Sequence, residues 1–223
     1  MMTESFTKIA VVAHDAGAAN HIFSWIQTGL IDVDKVKFCV DGPAAVICNR
    51  LFPDFINHEL QSVLNTTTLL VSGTGWASTL EHDARCIAKN RDIHVVAVLD
   101  HWSQFRARFI WDGCEQQPDE AWVVDEYAYD IVKVELPGVS VVLKRNDFIE
   151  SQLQEINKYN YKNELGSRVL FVMEPIRKNW GVEGKPGEIQ ALDYFIKNIE
   201  LLDLKGFIEI IIKPHPSDKK GKY

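Results

Sequence analysis

Residues 8–23 read KIAVVAHDAGAANHIF, and this stretch decides the fold class. Residues 8–13 are a short apolar run rich in β-branched side chains, which predicts a buried β-strand. Residues 14–19 are mostly small and suit a tight turn, and an amphipathic stretch begins at Asn20. A strand, a small-residue turn and a helix in this order form the opening of a Rossmann-like α/β unit.

The same unit recurs along the chain. Continuous apolar runs predict further strands at residues 36–40, 68–72, 94–99, 121–124 and 139–143. Helices are predicted from Gly42-Pro43 toward Leu51, after Gly75 through Ala88, over residues 125–134, and to residue 157 with Asn146 as the N-cap. Because the strands are continuously apolar rather than alternating, helices should cover both faces of the sheet. The sequence therefore predicts an α/β fold with a Rossmann-like, doubly wound parallel sheet.

A second α/β segment follows a polar stretch. We expect a Rossmann-like domain over residues 1–157, a linker over 158–166, and a second Rossmann-like domain beginning in 167–223. In that last segment, strands are predicted at 168–173 and 208–212 and a helix at 186–202. A βαβ unit takes about 30 residues or more, so we expect the second domain to be partial.

Composition and charge exclude several functional classes. The net charge of −7 and the pI near 5.5 disfavour nucleic acid as a partner. The N-terminus lacks the basic and apolar regions of a secretion signal, and no run is long enough to cross a membrane. We therefore predict a cytoplasmic protein without a transmembrane segment.

The spacing of the four cysteines does not match a metal-binding motif. Cys39, Cys48, Cys86 and Cys114 are far apart and form no C-x-x-C pair. We therefore predict reduced thiols with structural roles, and neither a metal nor an organic cofactor. A phosphate-binding metal site at His14, Asp15, Asp100 and His101 is a minor alternative.

Polar residues that follow the predicted strands are the candidates for chemistry, because open parallel sheets bind ligands at the carboxyl ends of their strands. After the first strand, His14 or Asp15 could act as a general base, and Gly17 would allow a ligand to approach. The alternative is that Asp15 only caps the following helix. The turn does not contain the G-x-G-x-x-G pattern of dinucleotide sites.

Two later turns could bind a saccharide acceptor. Gly73, Thr74 and Gly75 expose backbone after the third strand, although a tight strand-to-helix turn explains them equally. Asp100, His101, Trp102 and Arg106 combine charge with an aromatic face after the fourth strand, and a surface helix with a buried aromatic side is the alternative. Asp125 and Glu126 rank second, since such carboxylates often stabilise a helix N-terminus.

The second segment carries the most specific pattern. The sequence Lys213-Pro214-His215-Pro216-Ser217 follows its last strand, and two prolines hold the histidine in one direction. Lys213, His215 and Ser217 suit a phosphate ligand, and Glu174 follows the preceding strand.

The Lys213-Pro214-His215-Pro216 pattern resembles the HP motif of GT-B-fold glycosyltransferases that use CMP-activated sugars, and of the related CDP-glycerol phosphotransferases of bacterial surfaces. The resemblance implies that His215 contacts the donor phosphate. It also implies a nucleotide-sugar donor, linked to CMP or CDP, and a saccharide acceptor. The acidic motif that holds the catalytic base in polysialyltransferases has no recognisable counterpart, so Asp15 is assigned as the base from its position.

The leading functional prediction is therefore a metal-independent glycosyltransferase-like protein of surface-polysaccharide or capsule synthesis. In that family the donor domain continues beyond the equivalent of Tyr223. The resemblance therefore also implies a truncated chain, which would be inactive. The alternatives are a sugar-nucleotide hydrolase or epimerase and a non-catalytic domain that binds a saccharide or a partner. A homodimer is one way to cover an unpaired sheet edge.

Overall fold

The computed structural model describes residues 8–159, 168–177, 181–182, 184–202, 209–215, 218–219 and 221–222. The chain divides into two compact units, Met1–Tyr159 and Asn160–Tyr223. Residues 160–166 of the expected linker lie outside the described residues. The boundaries at 157 and 166 remain predictions.

The first unit alternates strands with helices. Its strands are β1 (Ile9–Ala13), β2 (Val36–Val40), β3 (Leu69–Ser72), β4 (His94–Val98), β5 (Ile110–Trp111), β6 (Cys114–Glu115), β7 (Glu120–Val123) and β8 (Ser140–Leu143). Its helices are α1 (Ala16–Gln27), α2 (Gly42–Leu51), α3 (Leu60–Leu64), α4 (Leu80–Lys89), α5 (Glu126–Glu135) and α6 (Asp147–Asn157). The predicted strands are thus present with small differences at their ends. The short helix α3 and the β5–β6 hairpin were not predicted.

Six parallel strands form the central sheet in the order β2-β1-β3-β4-β7-β8. Successive residues of β1 pack into different cores. Val11 lies in the cluster that contains Trp25 of α1, and Val12 lies in the cluster that contains Ala88 of α4. Both faces of the sheet are therefore covered by helices, which is why β1 is apolar at every position. The doubly wound, Rossmann-like fold is confirmed.

The strand order places a topological switch point beside β1. The chain passes from β1 to β2 on one side and then returns to β3 on the other side. Helices that follow β1 and β3 consequently leave in different directions, and a crevice opens at the carboxyl ends of these two strands. The turns that follow Ala13 and Ser72 meet at this crevice.

In the second unit, β9 (Arg168–Val172) pairs in parallel with β10 (Glu209–Lys213), and α7 (Gly187–Lys197) lies between them in sequence. The helix predicted over 186–202 ends earlier, and a 3₁₀ turn follows at Ile199–Leu202. The Asn198 side chain donates a hydrogen bond to the Tyr194 carbonyl at 2.7 Å, so this asparagine competes with the helical pattern. No helix in the described part of the chain is long and apolar enough to cross a membrane.

Candidate active site

The turn after β1 carries a hydrogen-bonded histidine–aspartate pair. His14 Nδ1 lies 2.7 Å from Asp15 Oδ1, and both side chains are half-buried. Asp15 Oδ2 accepts a hydrogen bond from the Trp76 backbone N–H at 3.1 Å. Asp15 occupies the N-cap position of α1, but its side chain makes no capping hydrogen bond. The capping interpretation of Asp15 is therefore wrong, and its carboxylate joins His14 to the turn after β3.

A buried glutamate of α4 holds the same two turns together. Glu81 is only 1% exposed, and it accepts hydrogen bonds from the His14 N–H at 2.9 Å and the Gly75 N–H at 3.1 Å. Burial raises the pKa of Glu81, and the hydrogen bond from His14 opposes this shift. The sequence around Glu81 gives no signal of this role, because a glutamate in the first turn of a helix commonly serves only the helix dipole.

Arg85 lies one turn after Glu81 and is also almost fully buried. Its guanidinium donates hydrogen bonds to the Gly73 carbonyl at 3.0 Å and to the Arg108 carbonyl at 3.3 Å. The same group lies 5.2 Å from the centre of the Phe109 ring. Burial lowers the pKa of Arg85 to about 10, and the negative charge of Glu81 opposes the shift. Arg85 therefore remains a cation at neutral pH and connects the β3 turn to the segment after β4.

The segment after β4 brings a second carboxylate and an arginine to this edge. Arg108 lies 3.8 Å from Asp100 Oδ1, donates a hydrogen bond to the Thr74 carbonyl at 3.1 Å, and lies 5.4 Å from the centre of the Trp76 ring. Burial lowers the pKa of Arg108, and the carboxylates of Asp100 and Asp15 oppose this. Arg108 Nε is buried without a hydrogen-bond partner. We call His14, Asp15, Asp100 and Arg108 the carboxyl-edge cluster.

Two glycines leave space for the side chains of Asp100 and His14 in this cluster. A Cβ atom on Gly17 would lie 1.5 Å from Asp100 Oδ2, so only glycine lets this carboxylate approach the first turn of α1. Gly42 has a φ of +52°, and a Cβ there would lie 2.5 Å from His14 Nε2. Gly42 is therefore required both by its left-handed backbone and by its contact with the imidazole.

Replacing Gly17 by alanine should lower the free energy of unfolding by about 1–3 kcal/mol, because the new methyl group forces Asp100 to move. An ordinary glycine-to-alanine change inside a helix instead stabilises by about 1 kcal/mol. Urea denaturation of the full chain measures the difference. Gly138→Ala is the matched control, since no atom lies within 4 Å of its added Cβ. An equal effect of the two substitutions would contradict the close approach of Asp100.

The other glycine-turn candidates serve the protein itself. Gly73 and Thr74 are buried, and the Thr74 hydroxyl donates a hydrogen bond to the Val98 carbonyl at 3.1 Å. Gly75 is half-buried, and its N–H is already bonded to Glu81. These residues shape the turn. Their contact with a saccharide acceptor remains a prediction.

The loop after Asp100 presents aromatic side chains outside the cluster. Trp102 is exposed, and its indole N–H donates a hydrogen bond to Asp125 Oδ2 at 2.8 Å. Asp125 Oδ1 accepts a bond from the Ala128 N–H and so caps α5, as the structural alternative predicts. His101 is exposed, with its ring centre 6.2 Å from that of Trp102.

The two arginines of this segment have different partners. Arg106 pairs with Glu115 of the β5–β6 hairpin through hydrogen bonds of 3.0 and 2.9 Å. Arg108, which the sequence analysis did not select as a binding residue, is the arginine that lies beside Asp100. The alternative of a surface helix with a buried aromatic side is met in part: Phe105 and Phe109 are buried, but the segment forms a 3₁₀ turn at Arg106–Phe109.

In the second unit, Lys213 ends β10 and is exposed, and His215 follows it and is half-buried. The Asp218 N–H donates a hydrogen bond to the His215 carbonyl at 2.9 Å. Glu174 follows β9 and is exposed. Ser217 and Pro216 lie outside the described residues.

Potential metal ligands converge elsewhere in the first unit. Among the residues that the structure describes, the side chains close enough for three-point ligation are His82, Cys86 and Cys114. The alternative metal site at His14, Asp15, Asp100 and His101 is not supported by this arrangement.

The fold and the position of the cluster define an α/β protein of the GT-B-like Rossmann class. No protein-family model matches the sequence, and no curated protein matches it significantly. The glycosyltransferase resemblance and the HP motif therefore gain no support from sequence comparison.

Solved structures are similar in fold. The UDP-GlcNAc 2-epimerase of Neisseria meningitidis bound to UDP-GlcNAc matches with a TM-score of 0.56 and 13% identity, over 95% of this chain and 67% of that chain. The complex of S. aureus MnaA with UDP matches with a TM-score of 0.61 and 12% identity, over 95% of this chain and 62% of that chain. The chain thus spans about two thirds of the length of these proteins. At such identities the similarity shows the fold alone.

Proposed function

We propose that this chain processes a nucleotide sugar and that the carboxyl-edge cluster is its acid–base site. The His14–Asp15 pair, with its 2.7 Å contact at the switch point of the sheet, is the observation that carries the proposal. Imidazole and carboxylate groups at such a crevice are suited to proton transfer. Similarity in fold to proteins bound to UDP-GlcNAc and UDP supports the choice of ligand.

Epimerisation is the reaction that this cluster supports best. An epimerase inverts a C–H centre, so it needs one group that removes a proton and another that returns it to the opposite face. No ring carbonyl lies beside C2 of a UDP-linked sugar, so the electron pair left by the C2 proton forms a C1–C2 double bond while the C1–O bond to UDP breaks. Addition of UDP to C1 and of a proton to the other face of C2 then gives the epimer. In the proposed reaction the His14–Asp15 pair is the first group and Asp100 is the second. Arg108 balances the negative charge of the two carboxylates.

Exposed indole rings supply the apolar part of the proposed site. Trp76 is 46% exposed and is held against Arg108, and Trp102 is 61% exposed. Aromatic faces commonly stack on sugar or base rings. We assign these two side chains to the sugar or base of the ligand.

Inverting glycosyl transfer is the second candidate, and the Lys213-Pro214-His215 sequence after β10 favours it. In this version Lys213 and His215 stabilise the departing phosphate of the donor. CMP- or CDP-linked donors, the acceptor and a cytoplasmic location remain predictions.

Proton NMR of the full chain incubated with UDP-GlcNAc, and separately with a CMP-linked sugar, tests the proposal. We expect a second sugar signal set, epimeric at C2, to appear with UDP-GlcNAc alone. Free sugar without an acceptor would indicate a hydrolase, and product that requires an added saccharide would indicate a transferase. Calorimetric titration with UDP, CMP, CDP and GDP is the companion measurement. Binding without turnover would support a non-catalytic domain, and no binding would refute the nucleotide-sugar proposal.

A further inference from the structure

A group of nitrogen and sulfur ligands lies apart from the carboxyl-edge cluster. His82 and Cys86 are four residues apart on α4 and therefore share one face of the helix. Cys114 is the first residue of β6 in the β5–β6 hairpin. One ligand atom from each side chain lies within 4.8 Å of the other two. We call these three residues the thiol–imidazole cluster.

One nitrogen of the imidazole in this cluster has no hydrogen-bond partner. His82 is 8% exposed, and its Nδ1 is buried without a hydrogen-bond partner. A buried polar atom with no partner is costly, so its presence calls for an explanation such as a bound ion. Neutral imidazole is a common metal ligand.

The two cysteines complete a ligand set for a soft or borderline metal. Both thiols are reduced, with Cys86 half-buried and Cys114 exposed. Two neighbouring thiolates repel each other unless a cation lies between them, and metal coordination removes the thiol proton outright.

We propose that His82, Cys86 and Cys114 bind one zinc ion through one nitrogen and two thiolate sulfurs. Zinc accepts this Cys₂His set with tetrahedral geometry, and an oxygen ligand from solvent can fill the fourth position on the exposed side of Cys114. The cysteine spacing gives no sign of this site in the sequence. Two of the ligands lie on one helix, and the third lies on a hairpin that is distant in sequence.

The position of the site indicates what the metal does. The ion would tie the β5–β6 hairpin to α4, and the segment that connects β4 to this hairpin carries Arg108. Arg85 of α4 already donates a hydrogen bond to the Arg108 carbonyl. We infer that the bound zinc holds this segment against α4 while its fourth position stays open to solvent.

Titration of the reduced, metal-free full chain with Co²⁺ tests the site by absorbance. We expect one equivalent to produce a thiolate-to-cobalt charge-transfer band with the visible bands of tetrahedral cobalt, and Zn²⁺ to displace it. His82→Ala, Cys86→Ser and Cys114→Ser should each weaken binding by more than about 100-fold, which exceeds the 10- to 100-fold effect of outer-shell partners. Circular dichroism verifies that each variant is folded.

Cys48→Ala is the matched control, because Cys48 is a buried cysteine outside the cluster. This variant should keep the cobalt spectrum of the wild-type chain. A reduced wild-type chain that gives no charge-transfer band would overturn the proposal, and so would a band that survives in Cys114→Ser. Formation of a Cys86–Cys114 disulfide in air, together with the absence of the band after reduction, would identify a redox pair instead.

Discussion

Replacement of Asp15 by asparagine should lower the turnover of the nucleotide sugar by about 10²- to 10⁴-fold, the usual contribution of a proton-transfer group. Asparagine can still accept the hydrogen bond from the Trp76 N–H, so the turn after β3 should keep its shape. The change removes the negative charge that lies 2.7 Å from His14 Nδ1. Initial rates followed by NMR, with kcat and KM separated, measure the effect.

The loss should appear in kcat rather than in binding. Calorimetric titration of the Asp15→Asn chain should give a dissociation constant for the nucleotide within about tenfold of wild type, which corresponds to 1.4 kcal/mol. Asp130→Asn is the control, because Asp130 is exposed on α5. An Asp15→Asn enzyme with unchanged kcat would remove the histidine–aspartate pair from the mechanism.

Replacement of Glu81 by alanine should lower the free energy of unfolding of the first unit by about 2–6 kcal/mol, because each of two backbone donors left without an acceptor costs about 1–3 kcal/mol. The substitution leaves the N–H groups of His14 and Gly75 without their acceptor and leaves Arg85 buried without a nearby negative charge. Urea denaturation followed by tryptophan fluorescence reports mainly on this unit, because five of the six tryptophans lie before residue 160.

Glu126→Ala provides the comparison for Glu81→Ala. Glu126 also lies in the first turn of a helix but is exposed, so its loss should cost at most about 1 kcal/mol through the helix dipole. Glu81→Gln should fall between the two, since one carbonyl oxygen remains while the amide nitrogen faces a backbone N–H. Equal losses for Glu81→Ala and Glu126→Ala would show that Glu81 does not hold the two turns together.

Local patterns predicted the main elements of the first unit well. Strands such as β1 (Ile9–Ala13) are recognisable because both of their faces are buried. The β5–β6 hairpin escaped prediction because its strands have two residues each and are largely exposed. Helix α3 has only five residues and was missed for the same lack of a periodic pattern.

The candidate site was predicted in part. His14, Asp15 and Asp100 follow strands and were found from that position alone. Glu81 and Arg85 lie on a helix, where a charged residue ordinarily faces solvent, so their burial gave no sequence signal. Their role depends on contacts with turns that are distant in the chain.

The amino-acid sequence by itself determined a parallel α/β fold and placed polar residues after its strands, because strand burial and turn formation depend on neighbouring residues. Only the tertiary structure decided which turns meet. The strand order puts β1 between β2 and β3, so the residues after Ala13 and Ser72 share one crevice. Glu81, Arg108 and the thiol–imidazole cluster acquire their partners through the packing of segments far apart in sequence, which no local pattern specifies.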